Sequence, residues 1–263
     1  YDVTIIDNLS TGHKNLIPKK AKLIISDINN VSRIANLLKE KKFEIVLHFA
    51  GFIRVDESVR EPDKYLENNY SKTKIFIDNC LYHGLNRVIF SSTASVYGNS
   101  KDKLVTEEDS ISPLNPYALS KLKVEKYLDE RSKNTDLKYT ILRYFNVAGC
   151  EPKMRTGLIS EFATHLIKVS CEVAIGKKQE LIINGDDYNT FDGTPVRDYI
   201  HISDLAEIHK IAAENLIKNN KSNIYNCGYG TGYSVKQVIN YFNKILKKDL
   251  PFKIGPRRES DSE

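Results

Sequence analysis

The chain has 263 residues, of which 41% are hydrophobic and 28% charged, so it can bury a substantial core and is not globally disordered. No apolar run approaches the roughly 18 residues that cross a bilayer, and no signal peptide opens the chain, so we expect a cytoplasmic protein without a membrane partner. The formal net charge is +5, but Lys and Arg alternate with Asp and Glu. This scattered pattern argues against a nucleic-acid partner.

The cysteine pattern argues against both a metal site and a disulfide scaffold. Cys80, Cys150, Cys171 and Cys227 are far apart and form no CxxC pair, so no metal is predicted. The chain begins with Tyr1 rather than Met, and residues 3–6 already have the pattern of a buried strand. We therefore expect further residues before Tyr1.

The first half of the chain alternates strand-like and helix-like segments. Continuous apolar runs of strand length occur at residues 3–6, 23–25, 45–49, 88–90 and 139–142. Segments with helical spacing lie between them at residues 34–41, 69–83 and 117–133. This alternation predicts parallel strands joined by right-handed crossovers, which is a doubly wound, Rossmann-like α/β fold over residues 1–146.

A change of composition after residue 146 predicts a second, smaller α/β domain over residues 147–263. Gly, Pro and Asp become frequent, and residues 184–187 and 191–195 have the chemistry of turns. A short strand at residues 224–227 precedes a Gly-rich loop at 228–232 and a helix with Ser234 at its N-cap. The glycines of that loop lack the GxGxxG spacing, so the loop is interpreted as a tight turn.

Asp7, directly after the first strand, indicates a dinucleotide cofactor. An acidic residue at this place in a doubly wound fold can accept hydrogen bonds from the adenosine ribose and disfavour a 2′-phosphate. No Arg follows within a few residues, so NAD is favoured over NADP. An Asp after a strand is also a common turn former. The Gly-rich phosphate loop of such folds is expected before Tyr1.

Tyr117 and Lys121 are candidates for catalysis because their i, i+4 spacing places both on one helical face. A nearby ammonium and an oxidised nicotinamide would favour the phenolate, making Tyr117 a general base. Thr93 follows the strand at residues 88–90, where its hydroxyl could bridge a substrate oxygen and the phenol. The Tyr–Lys spacing is common by chance, and strand-end hydroxyls also satisfy backbone groups.

Longer motifs resemble the extended short-chain dehydrogenase/reductase family, and within it the nucleotide-sugar 4-epimerases most closely. The most specific motif is the DGTPVRDYIH of residues 192–201. The others occur at residues 7–10, 27–28, 48–51, 57–59, 68–69, 91–98, 115–121, 142–146 and 256–261. The resemblance implies NAD-dependent interconversion of UDP-glucose and UDP-galactose through a transient 4-keto sugar. It also implies a homodimer through the helix at residues 69–83 and the helix beginning at Tyr117.

The resemblance further implies roles for individual residues. Catalysis would use Tyr117, Lys121 and Thr93. The residues implied in NAD binding, besides Tyr117 and Lys121, are Asp7, Asn8, Asp27, Ile28, Phe49, Ala50, Gly51, Asn68 and Phe145. Those implied in binding the UDP-hexose substrate are Thr93, Asn146, Leu166, Arg197, Arg258 and Asp261, because guanidinium groups suit a diphosphate.

Three alternatives remain open at this stage. The first is an epimerase acting on N-acetylated hexoses. The second is a nucleotide-sugar dehydratase or decarboxylase, although a 4,6-dehydratase typically has an acidic pair where this chain has Ala94 and Ser95. The third is a non-catalytic NAD-binding protein on the same fold, which the joint presence of Thr93, Tyr117 and Lys121 disfavours.

Overall fold

The computed structural model describes residues 1–99, 104–160 and 164–257. Its strands are β1 (Thr4–Asp7), β2 (Lys22–Ile25), β3 (Val46–His48), β4 (Arg87–Thr93), β5 (Lys138–Tyr144), β6 (Asn146–Ala148), β7 (Leu181–Asn184), β8 (Val196–His201), β9 (Asn223–Cys227), β10 (Gly232–Ser234) and β11 (Phe252–Gly255). Its helices are α1 (Val31–Glu40), α2 (Val55–Arg60), α3 (Pro62–Tyr65), α4 (Lys72–Tyr82), α5 (Pro116–Asn134), α6 (Leu166–Ala174), α7 (Ile202–Asn219) and α8 (Val235–Leu246).

A four-stranded parallel sheet in the order β3-β4-β5-β9 forms the centre of the fold, and β1 and β2 form a separate parallel pair. The prediction of an α/β fold with parallel strands is confirmed. The five predicted strands are divided between two sheets. Within the described ranges, neither β1 nor β2 forms backbone hydrogen bonds with β3. Ile6 of β1 nevertheless packs against the core beside the larger sheet, which contains Phe76, Phe90 and Ile141.

The C-terminal half contributes to this central sheet as well as forming smaller sheets of its own. β9 pairs in parallel with β5, and α7 packs against β4 and β5. The sheets β10-β8-β6 and β11-β7 lie outside it, the latter with a core that includes Val173, Leu181 and Leu250. The division at residue 146 stays a prediction, with β9 and α7 belonging by contact to the sheet of the first region.

Helix α5 positions the two candidate catalytic residues of the Tyr–Lys motif. The side chain of Asn115 caps it by accepting a hydrogen bond from the Ala118 N–H at 2.9 Å. Pro116 occupies the first helical position, where its missing N–H costs nothing and its fixed φ suits a helix. One face of the helix is buried against β4 and β5 and carries Lys121 and Glu125.

A buried ion pair joins α5 to the central sheet. Glu125 and Arg143 are 4% and 2% exposed, and Arg143 Nη2 donates to Glu125 Oε2 at 2.7 Å. Arg143 also donates to the Tyr97 hydroxyl at 2.8 Å, which donates to Asn226 Oδ1 at 2.7 Å. The Ser92 hydroxyl donates to Glu125. These bonds connect β4, β5, β9 and α5 directly behind the carboxyl end of β4.

Replacing Arg143 with Met is expected to destabilise the fold strongly, because Glu125 would keep a buried charge without its partner. The expected loss is about 3–5 kcal/mol in the free energy of unfolding, measured by urea denaturation. The control is Lys133→Met, which removes the exposed ion pair with Asp129, where Lys133 is 69% exposed. That change should cost less than about 1 kcal/mol. Equal losses of stability in the two variants would contradict a buried, paired charge on Glu125.

Candidate functional site

Most of the predicted cofactor and catalytic residues lie at the carboxyl ends of parallel strands, the edge at which doubly wound folds bind their ligands. Asp7 ends β1, and Asp27 follows the end of β2. Phe49 follows β3, and Thr93 ends β4. Asp7 and Asp27 therefore lie at the same edge of the β1–β2 pair, and Phe49 and Thr93 at the same edge of the central sheet.

Lys121 is almost completely enclosed, with an exposure of 2%. Its ammonium donates to the backbone oxygen of Ser91 at 2.8 Å and lies 5.1 Å from the centre of the Phe90 ring. Burial lowers the pKa of Lys121 to about 8, partly opposed by the negative charge of Glu125. A lysine with this pKa exists in both charge states near neutral pH, as is common for lysines in reactive sites.

Thr93 lies close enough to Tyr117 to affect the phenol. Burial raises the pKa of Tyr117, and the Thr93 side chain partly lowers it. The pKa of Tyr117 is therefore raised, whereas the sequence predicts that Lys121 lowers it. The Lys121 ammonium donates to the Ser91 oxygen instead. Thr93 is buried and its hydroxyl oxygen accepts a bond from the Ser95 N–H at 3.2 Å.

The loop after β3 approaches Lys121 through Gly51. A Cβ at residue 51 would lie 3.1 Å from Asn69 Oδ1 and 3.5 Å from Lys121 Nζ, so only glycine permits this approach without displacing a neighbour. Phe49 and Ala50, just before it, are exposed. The predicted cofactor-lining loop and the predicted catalytic lysine thus form one site.

Asn69 holds this loop in place and was not singled out as a site residue by sequence reasoning. Its Oδ1 accepts from the Phe52 N–H at 2.7 Å, and its Nδ2 donates to the Phe52 oxygen at 3.0 Å and to Ser120 Oγ at 3.1 Å. It lies in a π-helical stretch, Leu66–Ser71, of the kind often found at functional sites. Asn68, the predicted cofactor residue, donates to Asn69 Oδ1 at 3.2 Å.

The residues predicted to bind the adenosine end of NAD also meet. Asn8 Nδ2 donates to Asp27 Oδ2 at 3.1 Å, and Lys72 donates to the same oxygen at 2.9 Å. Burial raises the pKa of Asp27, but the hydrogen bonds together lower it by more than burial raises it. The pKa of Asp27 is therefore below its ordinary value. A Cβ on Gly12 would lie 2.9 Å from the Asp7 carboxylate oxygens, so glycine lets the turn pass close to this acid. Ile28 follows Asp27 and is partly buried in the core.

The predicted substrate residues are less closely grouped. Asn146 begins β6, which pairs with β8, the strand of Arg197. Phe145, just before, donates its N–H to the Cys227 oxygen at 3.2 Å. Leu166 begins α6 and packs in the core beside β7. Arg258 and Asp261 lie outside the described residues.

The Gly-rich turn at residues 228–232 joins β9 to β10, which confirms its interpretation as a tight turn rather than a phosphate loop. Gly230 has φ +70° and its N–H donates to Asp198 Oδ2 at 2.7 Å. The carboxylate of Asp198 thereby anchors this turn to the middle of the 192–201 motif.

Within residues 1–99, 104–160 and 164–257, no three or more His, Cys, Asp or Glu side chains are grouped closely enough to hold a metal ion. No helix in the same part of the chain has the length and apolar character needed to cross a membrane.

The pKa of Lys121 predicts a pH dependence of stability. Between about pH 8 and its ordinary pKa of 10.5, the unfolded chain carries a proton on Lys121 that the folded chain has released. The contribution of this group to the free energy of unfolding therefore rises with pH across that window. Urea denaturation should show the rise in the wild type and in the exposed-lysine control Lys133→Met, but not in Lys121→Met. Parallel curves for all three would contradict the burial of the charge.

Comparison with known proteins connects this site to a family. Residues 1–228 match the model of the NAD dependent epimerase/dehydratase family. The chain is 41% identical over 256 residues to the UDP-glucose 4-epimerase of Azospirillum brasilense, covering 97% of this chain and 74% of that protein.

Two solved structures extend the comparison. A UDP-glucose-4-epimerase from Stenotrophomonas maltophila with bound NAD and formylated UDP-arabinopyranose has a TM-score of 0.94 at 34% identity, covering 99% of this chain and 80% of that one. The UDP-Glc/GlcNAc 4-epimerase of Campylobacter jejuni has a TM-score of 0.82 at 40% identity, with coverages of 99% and 80%. With its Tyr–Lys–Thr site at the end of a parallel strand and these similarities over nearly its whole length, the chain belongs to the NAD dependent epimerase/dehydratase family.

Proposed function

We propose that this protein interconverts UDP-glucose and UDP-galactose by inverting the configuration at C4 of the sugar through a transient 4-keto sugar. The observation that carries the proposal is the grouping of Tyr117 and Thr93 with the buried Lys121, whose ammonium donates to the Ser91 oxygen, in a chain whose relatives are named UDP-glucose 4-epimerase. The reaction needs one group that takes a proton from an alcohol and later returns it. Tyr117 is in a position to do both.

NAD fits the residues present at the strand ends. Asp7, Asn8 and Asp27 form a polar, acidic group suited to the hydroxyls of an adenosine ribose, and this disfavours the 2′-phosphate of NADP. Gly51 leaves room between the β3 loop and Lys121. These residues would hold NAD, which when bound would supply the hydride acceptor and donor that chemistry at C4 needs.

The protein's own groups supply the proton chemistry. Tyr117 removes the proton of the sugar 4-hydroxyl. Thr93, which lowers the pKa of the phenol, favours the phenolate that accepts this proton. Lys121, fixed on the Ser91 oxygen, keeps a positive charge within the enclosed end of the site. After the 4-keto sugar has rotated so that its opposite face is presented for the return of the hydride, Tyr117 returns the proton to the C4 oxygen.

We assign the uridine diphosphate to the side of the site formed by β6 and β8. Asn146 and Arg197 lie on these paired strands, and a guanidinium group matches the geometry and charge of a diphosphate. Leu166, Arg258 and Asp261 complete the proposed substrate group, and Phe145 is assigned to the nicotinamide side. Holding the substrate by its nucleotide leaves the sugar free to rotate between the two hydride transfers.

The dehydratase alternative is disfavoured by the residues after Thr93. Ala94 and Ser95 begin a short 3₁₀ turn and offer no carboxylic acid to eliminate water across C5 and C6. Epimerisation requires no such group.

Tyr117→Phe is expected to lower the rate of conversion by about 10²–10⁴-fold, because it removes the general acid and base but keeps the ring. The assay follows UDP-glucose formed from UDP-galactose without added cofactor. Tyr82→Phe, which alters an exposed tyrosine of α4, is the matched control and should retain the wild-type rate.

Each outcome of this assay is informative. Full activity in Tyr117→Phe would refute the assigned role of Tyr117. An inactive wild type, even with NAD supplied, would refute the hexose reaction. Conversion of UDP-N-acetylgalactosamine by the wild type, measured alongside, would place the protein with the epimerases that also accept N-acetylated sugars.

We further propose a cytoplasmic homodimer. The four cysteines are free, as suits a reducing compartment, and two of them, Cys80 and Cys227, are buried. Ile75 and Tyr82 of α4 and Leu119 of α5 are exposed apolar side chains on the two helices of the proposed interface. Pairing α4 and α5 with those of a second copy would remove this apolar surface from water.

Ile75→Asp is therefore expected to shift the protein from dimer to monomer in analytical ultracentrifugation, since it places a charge in the apolar interface. Ile245→Asp, at an exposed position of α8, is the control and should leave the dimer intact. A wild type that sediments as a monomer at micromolar concentration would rule out the dimer.

A further inference from the structure

His209 is a buried histidine on α7, far along the chain from the Tyr117–Lys121 motif. It is 6% exposed, and its ring contacts two residues that border the site, Phe49 and Tyr144. We propose that His209 is a positioning residue for the epimerase reaction, acting through Tyr144, which is paired with Thr93 in the β4–β5 ladder, on the surroundings of Tyr117. This inference rests on the proposed function.

The hydrogen bonds of His209 determine which of its nitrogens carries the proton. Nδ1 lies 2.7 Å from the backbone oxygen of Leu205. A carbonyl oxygen only accepts, so Nδ1 must be the donor. Burial lowers the pKa of His209, which keeps the ring neutral, so Nε2 is left as an acceptor.

Tyr144 transmits this constraint toward the catalytic residues. Its hydroxyl is hydrogen-bonded to His209 Nε2 and, because that nitrogen accepts, the hydroxyl must donate. Burial raises the pKa of Tyr144, so this hydroxyl keeps the proton that it donates. The direction of the Tyr144 hydroxyl is thus set by the Leu205 oxygen on the far side of the imidazole.

The β4–β5 ladder connects Tyr144 to the catalytic group. Tyr144 is paired with Thr93 of β4, and the backbone oxygen of Ser91, two residues earlier on that strand, accepts from Lys121 Nζ at 2.8 Å. The Tyr144 hydroxyl is also close enough to Tyr117 for the two phenols to interact electrostatically. A shift of the Tyr144 side chain would therefore disturb Thr93 and the surroundings of Tyr117.

His209 also supports the opposite side of the site. Its ring centre lies 5.0 Å from that of Phe49, the exposed residue after β3 that is assigned to the cofactor. Tyr144 packs edge-on against the same imidazole, with ring centres 5.4 Å apart. The His209 imidazole thus packs against Phe49, which follows β3, and against Tyr144, which ends β5.

A histidine that only fills the core would affect stability without affecting catalysis through Tyr144. Two substitutions separate these roles. His209→Asn keeps an amide donor near Nδ1 for the Leu205 oxygen but removes the acceptor for Tyr144, whereas His209→Gln can place an amide oxygen near Nε2. Tyr144→Phe removes the shared hydroxyl and is the mildest change to the fold.

We expect His209→Asn and Tyr144→Phe each to lower kcat about tenfold, the effect of one lost positioning hydrogen bond, with little change in KM for UDP-galactose. His209→Gln should recover part of the loss. The double variant should be no slower than Tyr144→Phe alone, because both changes break the same chain. Multiplicative losses in an active wild type, or a normal kcat in Tyr144→Phe, would overturn the positioning role and leave the epimerase activity standing.

A measurement that does not depend on turnover completes the test. Nitrogen-15 NMR of labelled histidine should show His209 as the neutral Nδ1–H tautomer in the wild type, with an Nε2 resonance that shifts in Tyr144→Phe. The Nε2–H tautomer, or a charged ring at neutral pH, would overturn the inference. If the wild type lacks activity, the proposed function fails, and this resonance still decides whether the chain of hydrogen bonds exists.

Discussion

The Lys121 ammonium, hydrogen-bonded to the Ser91 oxygen inside the protein, is the interaction on which the rest of the site depends. Withdrawing a charge from water costs several kcal/mol unless dipoles and opposite charges replace the solvent. Here the replacements are one carbonyl oxygen, the face of Phe90 and the negative charge of Glu125 one helical turn away. All three are lost if α5 moves along β4.

The Glu125–Arg143 pair prevents such a movement. Glu125 lies on the same helix as Lys121, and it receives the hydroxyl of Ser92, which follows Ser91 in β4. Arg143 extends the connection to β5 and, through Tyr97, to Asn226 of β9. The relative positions of helix and strands are therefore set by bonds that water does not readily replace, because Ser92, Glu125 and Arg143 are buried.

The C-terminal half is part of this construction. Asn226 comes from β9 and His209 from α7, both beyond the predicted domain boundary at residue 146. Residues 1–146 hold Thr93, Tyr117 and Lys121, yet the groups that hold these residues in place come from both halves. A fragment limited to residues 1–146 would lack the ion-pair extension to β9 and the imidazole behind Tyr144.

The parts of the site that sequence could predict are those defined by position along one element. Asp7 and Thr93 follow strands, and the i, i+4 spacing of Tyr117 and Lys121 needs only one helix. Asn69, Tyr144 and His209 have no such local signal, because their roles arise where elements distant in sequence meet. Asn69, for example, joins the β3 loop to Ser120 of α5. The separation of β1 and β2 from the central sheet was likewise not predictable from strand patterns, which do not specify partners.

The pKa of Tyr117 illustrates how position along the chain and enclosure combine to set reactivity. The motif places the phenol near a lysine and predicts an acidic tyrosine, but burial favours its neutral form and raises the pKa. A strongly acidified phenol would take the sugar proton poorly, whereas an unassisted one would rarely be ionised. Epimerisation uses the same proton in both directions, so the group that carries it must be an adequate base and an adequate acid. In the proposed reaction two opposing effects act on the oxygen assigned to carry this proton: burial raises its pKa, and Thr93 partly lowers it.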